Sequence, residues 1–144
     1  MPAINFFTEE TSFQLKQKNK YKKWIKEIIT QENHTLNELN FIFCSDKYLL
    51  QINKEYLNHN YFTDIITFDN SLQKADILGD IFISIDTVRK NSVEYNTTFQ
   101  SEISRVIIHG VLHLLGYGDK SKADKALMRK KEDLALSSLL KAKQ

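Results

Sequence analysis

The stretch that decides the fold runs from residue 106 to residue 115 and reads VIIHGVLHLL. Seven of these ten residues are aliphatic, and none is Lys, Arg, Asp or Glu. A helix that is apolar on nearly every side is normally buried in a protein core. The stretch therefore predicts a central helix. The two histidines inside it need an explanation, because a buried imidazole nitrogen without a partner is costly.

The spacing of His109 and His113 offers that explanation. Residues four apart on a helix lie on the same side, one turn above each other, so their ring nitrogens can converge on one metal ion. Gly116 then marks a helix end and Gly118 allows a sharp turn. Asp119 follows directly after this turn. Three protein ligands with one open position are typical of catalytic zinc, so the pattern predicts a site formed by His109, His113 and Asp119.

Two other interpretations of this helix are considered. Both histidines would be ordinary core residues if backbone groups or buried water satisfied their nitrogens. A peptidase helix of this kind carries Glu directly after the first histidine as the general base, and here that position is Gly110. The small residue predicts close packing against a sheet and disfavours peptide hydrolysis by that mechanism.

The rest of the chain predicts an α+β fold: a single domain over residues 1–144, with a small mixed sheet of about four strands packed with helices around the buried histidine helix. Strands are predicted over Ile4–Phe7, Leu36–Cys44, Asp64–Asp69 and Gly79–Ile85. Helices are predicted over Lys16–Gln31, from Ser45 or Asp46 to Leu57, from Asp86 to Tyr95, from a capping box at Thr97 and Gln100, and from Ser121 to Lys141.

Composition narrows the class of protein. The chain has 144 residues, 42% of them hydrophobic and 26% charged, which is typical of a globular domain. The single cysteine, Cys44, excludes an internal disulfide framework and a multi-cysteine zinc finger. We see no signal peptide and no apolar stretch of membrane-spanning length, which predicts a cytoplasmic protein without membrane association. The net charge of +2 is too small to indicate nucleic-acid binding by itself.

Three segments resemble a known family. Residues 109–117, HGVLHLLGY, resemble the signature of the YbeY-type bacterial rRNA maturation factors, which are metal-dependent endoribonucleases. Residues 63–68, TDIITF, and residues 78–81, LGDI, resemble two further family segments in the same order and spacing. The resemblance spans about Ile52 to Asp119.

It implies an α+β domain with one zinc ion (Zn²⁺) per chain. It also implies single-strand-specific cleavage of RNA during maturation of small-subunit (16S) ribosomal RNA, with a role in ribosome assembly and quality control. The implied partners are ribosomal RNA and the small ribosomal subunit.

The sequence departs from the family pattern at two positions. The family usually has histidine as the third ligand, where this chain has Asp119. A carboxylate is an acceptable zinc ligand, but it weakens the Lewis acid and also suits manganese or iron. The family usually has arginine where this chain has Leu57, so a cation expected to hold phosphate is missing. His59, Lys54 and Arg105 are candidates to replace it.

Further candidates are less specific. Asp64 and Asp80 are expected at strand starts, as turn residues or as carboxylates near the metal. Two basic clusters predict either phosphate contacts or solvated helix faces. They contain Lys16, Lys18, Lys20, Lys22, Lys23 and Lys26, and Lys120, Lys122, Lys125, Arg129, Lys130 and Lys131.

The sequence thus favours a zinc-dependent endoribonuclease, with no general base assigned. Its rivals are a metallopeptidase-like hydrolase and a non-enzymatic ribosome assembly factor with a structural metal.

Overall fold

Four strands form one mixed sheet. A computed structural model describes residues 2–59 and 63–141. The strands are β1 (Ala3–Glu9), β2 (Thr35–Cys44), β3 (Ile65–Asp69) and β4 (Asp76–Ser84). Their order across the sheet is β1-β2-β4-β3. β1 and β2 are parallel, β2 and β4 are parallel, and β3 is antiparallel to β4. The predicted four-stranded mixed sheet is confirmed.

Five helices accompany the sheet in the described part of the chain. They are α1 (Lys18–Gln31), α2 (Asp46–Leu57), α3 (Ile85–Glu94), α4 (Phe99–Leu114) and α5 (Lys122–Lys141). α4 contains residues 106–114 of the quoted apolar stretch, with Leu115 as its C-terminal cap, and contacts α1, α3, α5, β3 and β4. This confirms the α+β class and the central histidine helix. That residues 1–144 form one domain stays a prediction.

Alternation along the strands separates the two faces of the sheet, because successive side chains of a strand point to opposite sides. On β4, Ile81 and Ile83 are buried in the main core, which includes residues of α1 and α4. Phe82 points to the other face, where α2 covers a smaller cluster around Leu49 and Ile66. The histidine helix α4 therefore packs on the face of the sheet to which Ile81 and Ile83 point.

Three predicted helix starts are displaced. α1 begins at Lys18, two residues after the predicted Lys16. α3 is capped by Ser84, whose hydroxyl accepts from the Thr87 amide. Asp86, the predicted cap, instead accepts from the backbone N–H of Asp46 at the start of α2. α4 is capped by Thr98, not by Thr97.

The predicted capping box at the start of α4 fails for a packing reason. The Gln100 amide donates to the hydroxyl of buried Tyr21 at 2.6 Å and does not turn back to the backbone. Of the two residues predicted as the cap of α2, Ser45 or Asp46, the cap is Ser45, whose hydroxyl accepts from the Tyr48 amide. Among the described residues, no helix is long and apolar enough to cross a membrane.

Candidate metal centre

The packing of α4 on the sheet decides which way its histidines face. An ideal Cβ built on Gly110 would lie 2.9 Å from the Ile65 side chain and 3.0 Å from that of Ile81. The small residue lets the helix approach the sheet closely, as its sequence position predicted. Because Gly110 faces the sheet, His109 and His113 lie at the edge of the core, and both side chains are about one quarter exposed, at 22% and 26%.

The two histidines and Asp119 form one group of possible metal ligands. The imidazole rings are 4.6 Å apart between centroids and nearly perpendicular, at 82°. Asp119 Oδ2 lies 3.5 Å from His109 Nε2 and 3.4 Å from His113 Nε2. Asp119 Oδ2 therefore faces the Nε2 atom of each imidazole ring.

These separations fit a bound ion better than direct hydrogen bonds. Hydrogen bonds between nitrogen and oxygen cluster near ~2.9–3.0 Å, which is clearly shorter. Ligands held about 2.0–2.1 Å from zinc in a tetrahedron lie roughly 3.3–3.4 Å from one another, which is close to the two distances found. Two imidazoles and one carboxylate are also a donor set that zinc accepts, with one position left open for water or substrate.

The loop after α4 is fixed independently of these three side chains. Gly116 has a φ of 108°, a left-handed conformation that favours glycine, and it directly follows Leu115, the C-terminal cap of α4. Gly118, which was expected to allow a sharp turn, does not have positive φ.

The Tyr117 hydroxyl donates to Glu32 Oε1 at 2.7 Å, and Lys131 Nζ lies 3.2 Å from Glu32 Oε2. Burial alone would raise the pKa of Glu32, but the hydrogen bonds from Tyr117 and Lys131 lower it. The ionised carboxylate thus ties the loop that carries Asp119 to the end of α1 and to α5.

The other ring nitrogen of His109 contacts a carboxylate on α5. His109 Nδ1 lies 2.6 Å from Glu132 Oε2, and Glu132 is only 5% exposed. Arg105 Nη1 donates to the second oxygen of Glu132 at 2.7 Å, and its Nη2 donates to Asp133 at 2.9 Å. Glu132 therefore has a hydrogen-bond partner for each of its oxygens.

The charges of this pair reinforce each other in the metal-free protein. Burial alone would lower the pKa of His109, but the hydrogen bond and charge of Glu132 raise it above the usual value. Burial alone would raise the pKa of Glu132, but His109 and Arg105 lower it. Glu132 is therefore an anion at neutral pH, and it favours a proton on His109 Nδ1.

A cleft of about 210 Å³ lies beside His109. It is lined by Asp64, Glu102, Arg105, Val106, His109, Arg129 and Glu132. Burial raises the pKa of the Asp64 carboxyl, and His109 opposes that shift. Of the two aspartates that the sequence offered as neighbours of the metal, Asp64 lies near the site. Asp80 lies within β4 on the face opposite Ile81, where it accepts from Asn40 and Asn70.

The proposed replacements for the missing family arginine differ in their surroundings. Arg105 is engaged by Glu132 and Asp133, so its guanidinium is already committed to carboxylates. Lys54 lies in the last turn of α2, and Leu57 ends that helix with its side chain 39% exposed. His59 lies beyond the helix, at the edge of the described residues. None of these is assigned to phosphate by the structure.

Sequence reasoning missed Glu132, although the sequence carries a signal for it. Met128, Ala135 and Leu139 are buried on α5 at helical spacing, and Glu132 lies in the same stripe. A carboxylate in an otherwise apolar stripe is unusual without a partner. Its partners, however, lie 23 and 27 residues away along the chain, and no local pattern identifies them.

Comparisons with known proteins give matches along nearly the whole chain. Residues 4–140 match the family model described as Endoribonuclease YbeY. The chain is 52% identical over 135 residues to Endoribonuclease YbeY of Cytophaga hutchinsonii, a match that covers 94% of each chain. It is 51% identical over 138 residues to Endoribonuclease YbeY of Karelsulcia muelleri, with 96% of each covered.

A solved structure is also similar. The solution structure of TM1509 from Thermotoga maritima aligns with a TM-score of 0.67 and 26% sequence identity. The alignment covers 95% of this chain and 89% of that one, so the two proteins share a fold along nearly their whole length.

Proposed function

The chain belongs to the YbeY family of endoribonucleases, and from this premise we propose that it is a zinc-dependent, single-strand-specific endoribonuclease that matures 16S ribosomal RNA. The observation that carries the proposal is the convergence of His109 Nε2, His113 Nε2 and Asp119 Oδ2. Three converging ligands with an open position are typical of hydrolytic zinc sites. A ribosomal RNA substrate implies that the protein acts in the cytoplasm with the small ribosomal subunit as its partner.

The three ligand side chains would hold the ion, and the surrounding residues would keep them in place. When bound, the ion supplies a Lewis acid for the phosphodiester and lowers the pKa of water. Asp119 adds a negative charge to the ligand set, which makes manganese or iron acceptable alternatives to zinc. The Tyr117 contact with Glu32 fixes the loop that carries Asp119. No residue is assigned as general base.

The peptidase alternative loses support at Gly110. In the peptidase pattern a glutamate at this position supplies the general base. Here the position faces Ile65 and Ile81 on the sheet, where a carboxylate would be buried without partners. The packing of α4 therefore disfavours a base at this place in the sequence.

Basic side chains supply a surface for RNA outside the metal centre. Lys22, Lys23 and Lys26 of α1 line one shallow groove. Lysines on a surface give sequence-independent affinity for phosphates. This surface supports binding of a large RNA, while cleavage depends on the ligands on α4 and the following loop.

The test compares RNA cleavage by the wild-type protein and His113→Ala, each stripped of metal and then supplied with zinc or manganese. His34→Ala is the matched control, since His34 lies after α1 and outside the ligand group. We expect cleavage of single-stranded 16S precursor RNA by the wild type and the control. A folded His113→Ala protein should be inactive.

Each part of the proposal has its own contrary result. Cleavage that survives complete removal of metal contradicts the metal-dependent mechanism. Equal cleavage of unrelated RNA contradicts the choice of substrate, and cleavage of duplex RNA contradicts the strand preference. Unfolding of His113→Ala, with ribosome binding retained by a metal-loaded but inactive wild type, would favour the assembly factor with a structural metal.

A further inference from the structure

Glu132 has the surroundings of a residue that orients a metal ligand. It is almost fully buried where α5 packs against α4, and its two oxygens lie 2.6 Å from His109 Nδ1 and 2.7 Å from Arg105 Nη1. We propose that Glu132 is a positioning residue, which holds His109 with Nδ1 protonated and Nε2 directed to the ion. This inference rests on the proposed function, because it concerns the same three ligands.

The contact with Glu132 determines which ring nitrogen of His109 carries the proton. An ionised carboxylate only accepts hydrogen bonds, so at 2.6 Å from Glu132 the Nδ1 atom of His109 must donate. A neutral imidazole has one N–H, and donation from Nδ1 leaves the lone pair on Nε2. Nε2 is also the atom that faces Asp119 Oδ2 and belongs to the ligand group. The contact therefore selects the tautomer that a metal ion requires.

The same carboxylate also restricts the orientation of the imidazole ring. The other oxygen of Glu132 accepts from Arg105 at 2.7 Å, so the carboxylate is held at both ends. Arg105 and His109 are four residues apart on α4 and lie on the same side of the helix. Glu132 thus binds two successive turns of α4 and leaves the imidazole little freedom to rotate.

A merely structural ion pair between α4 and α5 is the alternative, and Asp133 separates the two roles. Asp133 also accepts from Arg105, at 2.9 Å, but its side chain is 59% exposed and makes no hydrogen bond to His109. Asp133→Asn weakens the anchoring of Arg105 and leaves the carboxylate of Glu132 in place. Glu132→Gln keeps the shape of the side chain and removes the charge that requires a donor at Nδ1.

The experiment measures zinc affinity by competition with a chromophoric chelator for the wild type, Glu132→Gln and Asp133→Asn. Partners of metal-bound histidines typically contribute about 10–100-fold to affinity, so Glu132→Gln should bind zinc 10–100-fold more weakly. Asp133→Asn should bind like the wild type. If Asp133→Asn and Glu132→Gln lose the same affinity, the role is helix pairing and the inference is overturned.

A second readout does not depend on bound metal or on enzymatic activity. In ¹⁵N NMR spectra of the zinc-free protein, recorded at a pH above the pKa of His109, the ring nitrogen signals of His109 report its tautomer. We expect the Nδ1–H form in the wild type and in Asp133→Asn, and a mixture in Glu132→Gln. A wild-type His109 in the Nε2–H form overturns the inference even if the glutamate variant fails to fold.

The two proposals fail in different ways. A wild-type protein that binds no zinc contradicts the proposed function, and the inference with it. A wild type that binds zinc, together with a Glu132→Gln protein of equal affinity and the same His109 tautomer, leaves the proposed function intact and overturns the inference alone.

Discussion

Replacing Asp119 with asparagine tests the most unusual feature of the candidate site, its carboxylate ligand. Asp119→Asn keeps the size of the side chain and removes its charge. The two distances of 3.4 and 3.5 Å from Oδ2 to the histidine nitrogens place this oxygen among the possible ligands. Because the side chain is 44% exposed, we expect the metal-free variant to differ from the wild type by no more than about 0.5 kcal/mol.

The magnitude follows from zinc affinity. Residues that only contact a ligand contribute about 10–100-fold, so loss of a direct ligand should weaken zinc binding at least ~100-fold. At zinc concentrations that saturate both proteins, this removes about 2.7 kcal/mol of zinc-linked stabilisation. For a chain of 144 residues, the entropy of unfolding converts that loss to about 9 °C in Tm.

The assay is thermal unfolding with chelator and with excess zinc. Asp124→Asn is the control, since it removes the same charge five residues away, in the first turn of α5 and outside the ligand group. We expect the full zinc-induced rise in Tm for the control and a rise about 9 °C smaller for Asp119→Asn. An undiminished rise in Asp119→Asn, with a lost rise in His113→Ala, would refute Asp119 as the third ligand.

Three further predictions concern stability and reactivity. Burial, together with nearby carboxylates, raises the pKa of the Cys44 thiol to about 12, so it should react with Ellman's reagent at pH 8 only after denaturation; fast labelling of the native protein would contradict this. A Cβ on Gly79 would lie 2.6 Å from a carbonyl oxygen of β3, so Gly79→Ala should lower the free energy of unfolding, measured in urea, by about 3 kcal/mol. In the control Gly118→Ala the nearest neighbour of the new Cβ lies 3.3 Å away, so its free energy of unfolding should stay near that of the wild type. The pKa of His109 in the folded protein is raised above its usual 6.5, so in zinc-free protein its contribution to the free energy of unfolding is full below pH 6.5 and is lost as pH rises through the raised pKa. The difference in free energy of unfolding between the wild type and Glu132→Gln should therefore shrink from pH 6 to pH 9. A difference that stays constant over this range would contradict the pairing of His109 with Glu132.

The central features could be predicted because each has a local signal. The apolar stretch around His109 and His113 is long enough to show a buried helix, and their spacing shows a shared side. Gly110 indicates close packing of the helix against the sheet, because glycine has no side chain to keep the two apart. These signals need only the residues of one helix, and the structure bears out the helix, its burial and its approach to the sheet.

Helix starts were harder to predict because neighbouring polar residues compete for the same role. Ser84 and Asp86 both suit the cap of α3, and the choice depends on where β4 ends. Asp86 turns to α2 because the starts of the two helices lie side by side, which no local pattern reveals. β4 likewise begins at Asp76, three residues before the predicted start, because Thr35 and Leu36 of β2 pair with Asp76 and Ile77.

The partners of the site residues were the least predictable part, because they come from distant segments. Tyr117 meets Glu32 across 85 residues of chain, and His109 meets Glu132 across 23. The first contact joins the end of α1 to the loop after α4 and the second joins α4 to α5, and the relative placement of these segments is set by the whole core. A sequence pattern identifies the residues that carry the chemistry, whereas the residues that hold them in position emerge only from tertiary packing.

The charge of the site follows from these same contacts. Arg105 carries one positive charge but is shared by two carboxylates, Glu132 and Asp133, and Asp119 adds a third negative charge nearby. The metal-free centre is therefore better suited to a divalent cation than to a phosphate group, which like charges would repel. Leu57 supplies no cation in place of the family arginine. A second arginine, Arg129, also lines the cleft beside His109, 3.9 Å from Glu132 Oε1 and with its side chain 66% exposed. We therefore expect attraction of the RNA backbone to this centre to depend on Arg129, on lysines at a distance and on an ion held by the three candidate ligands.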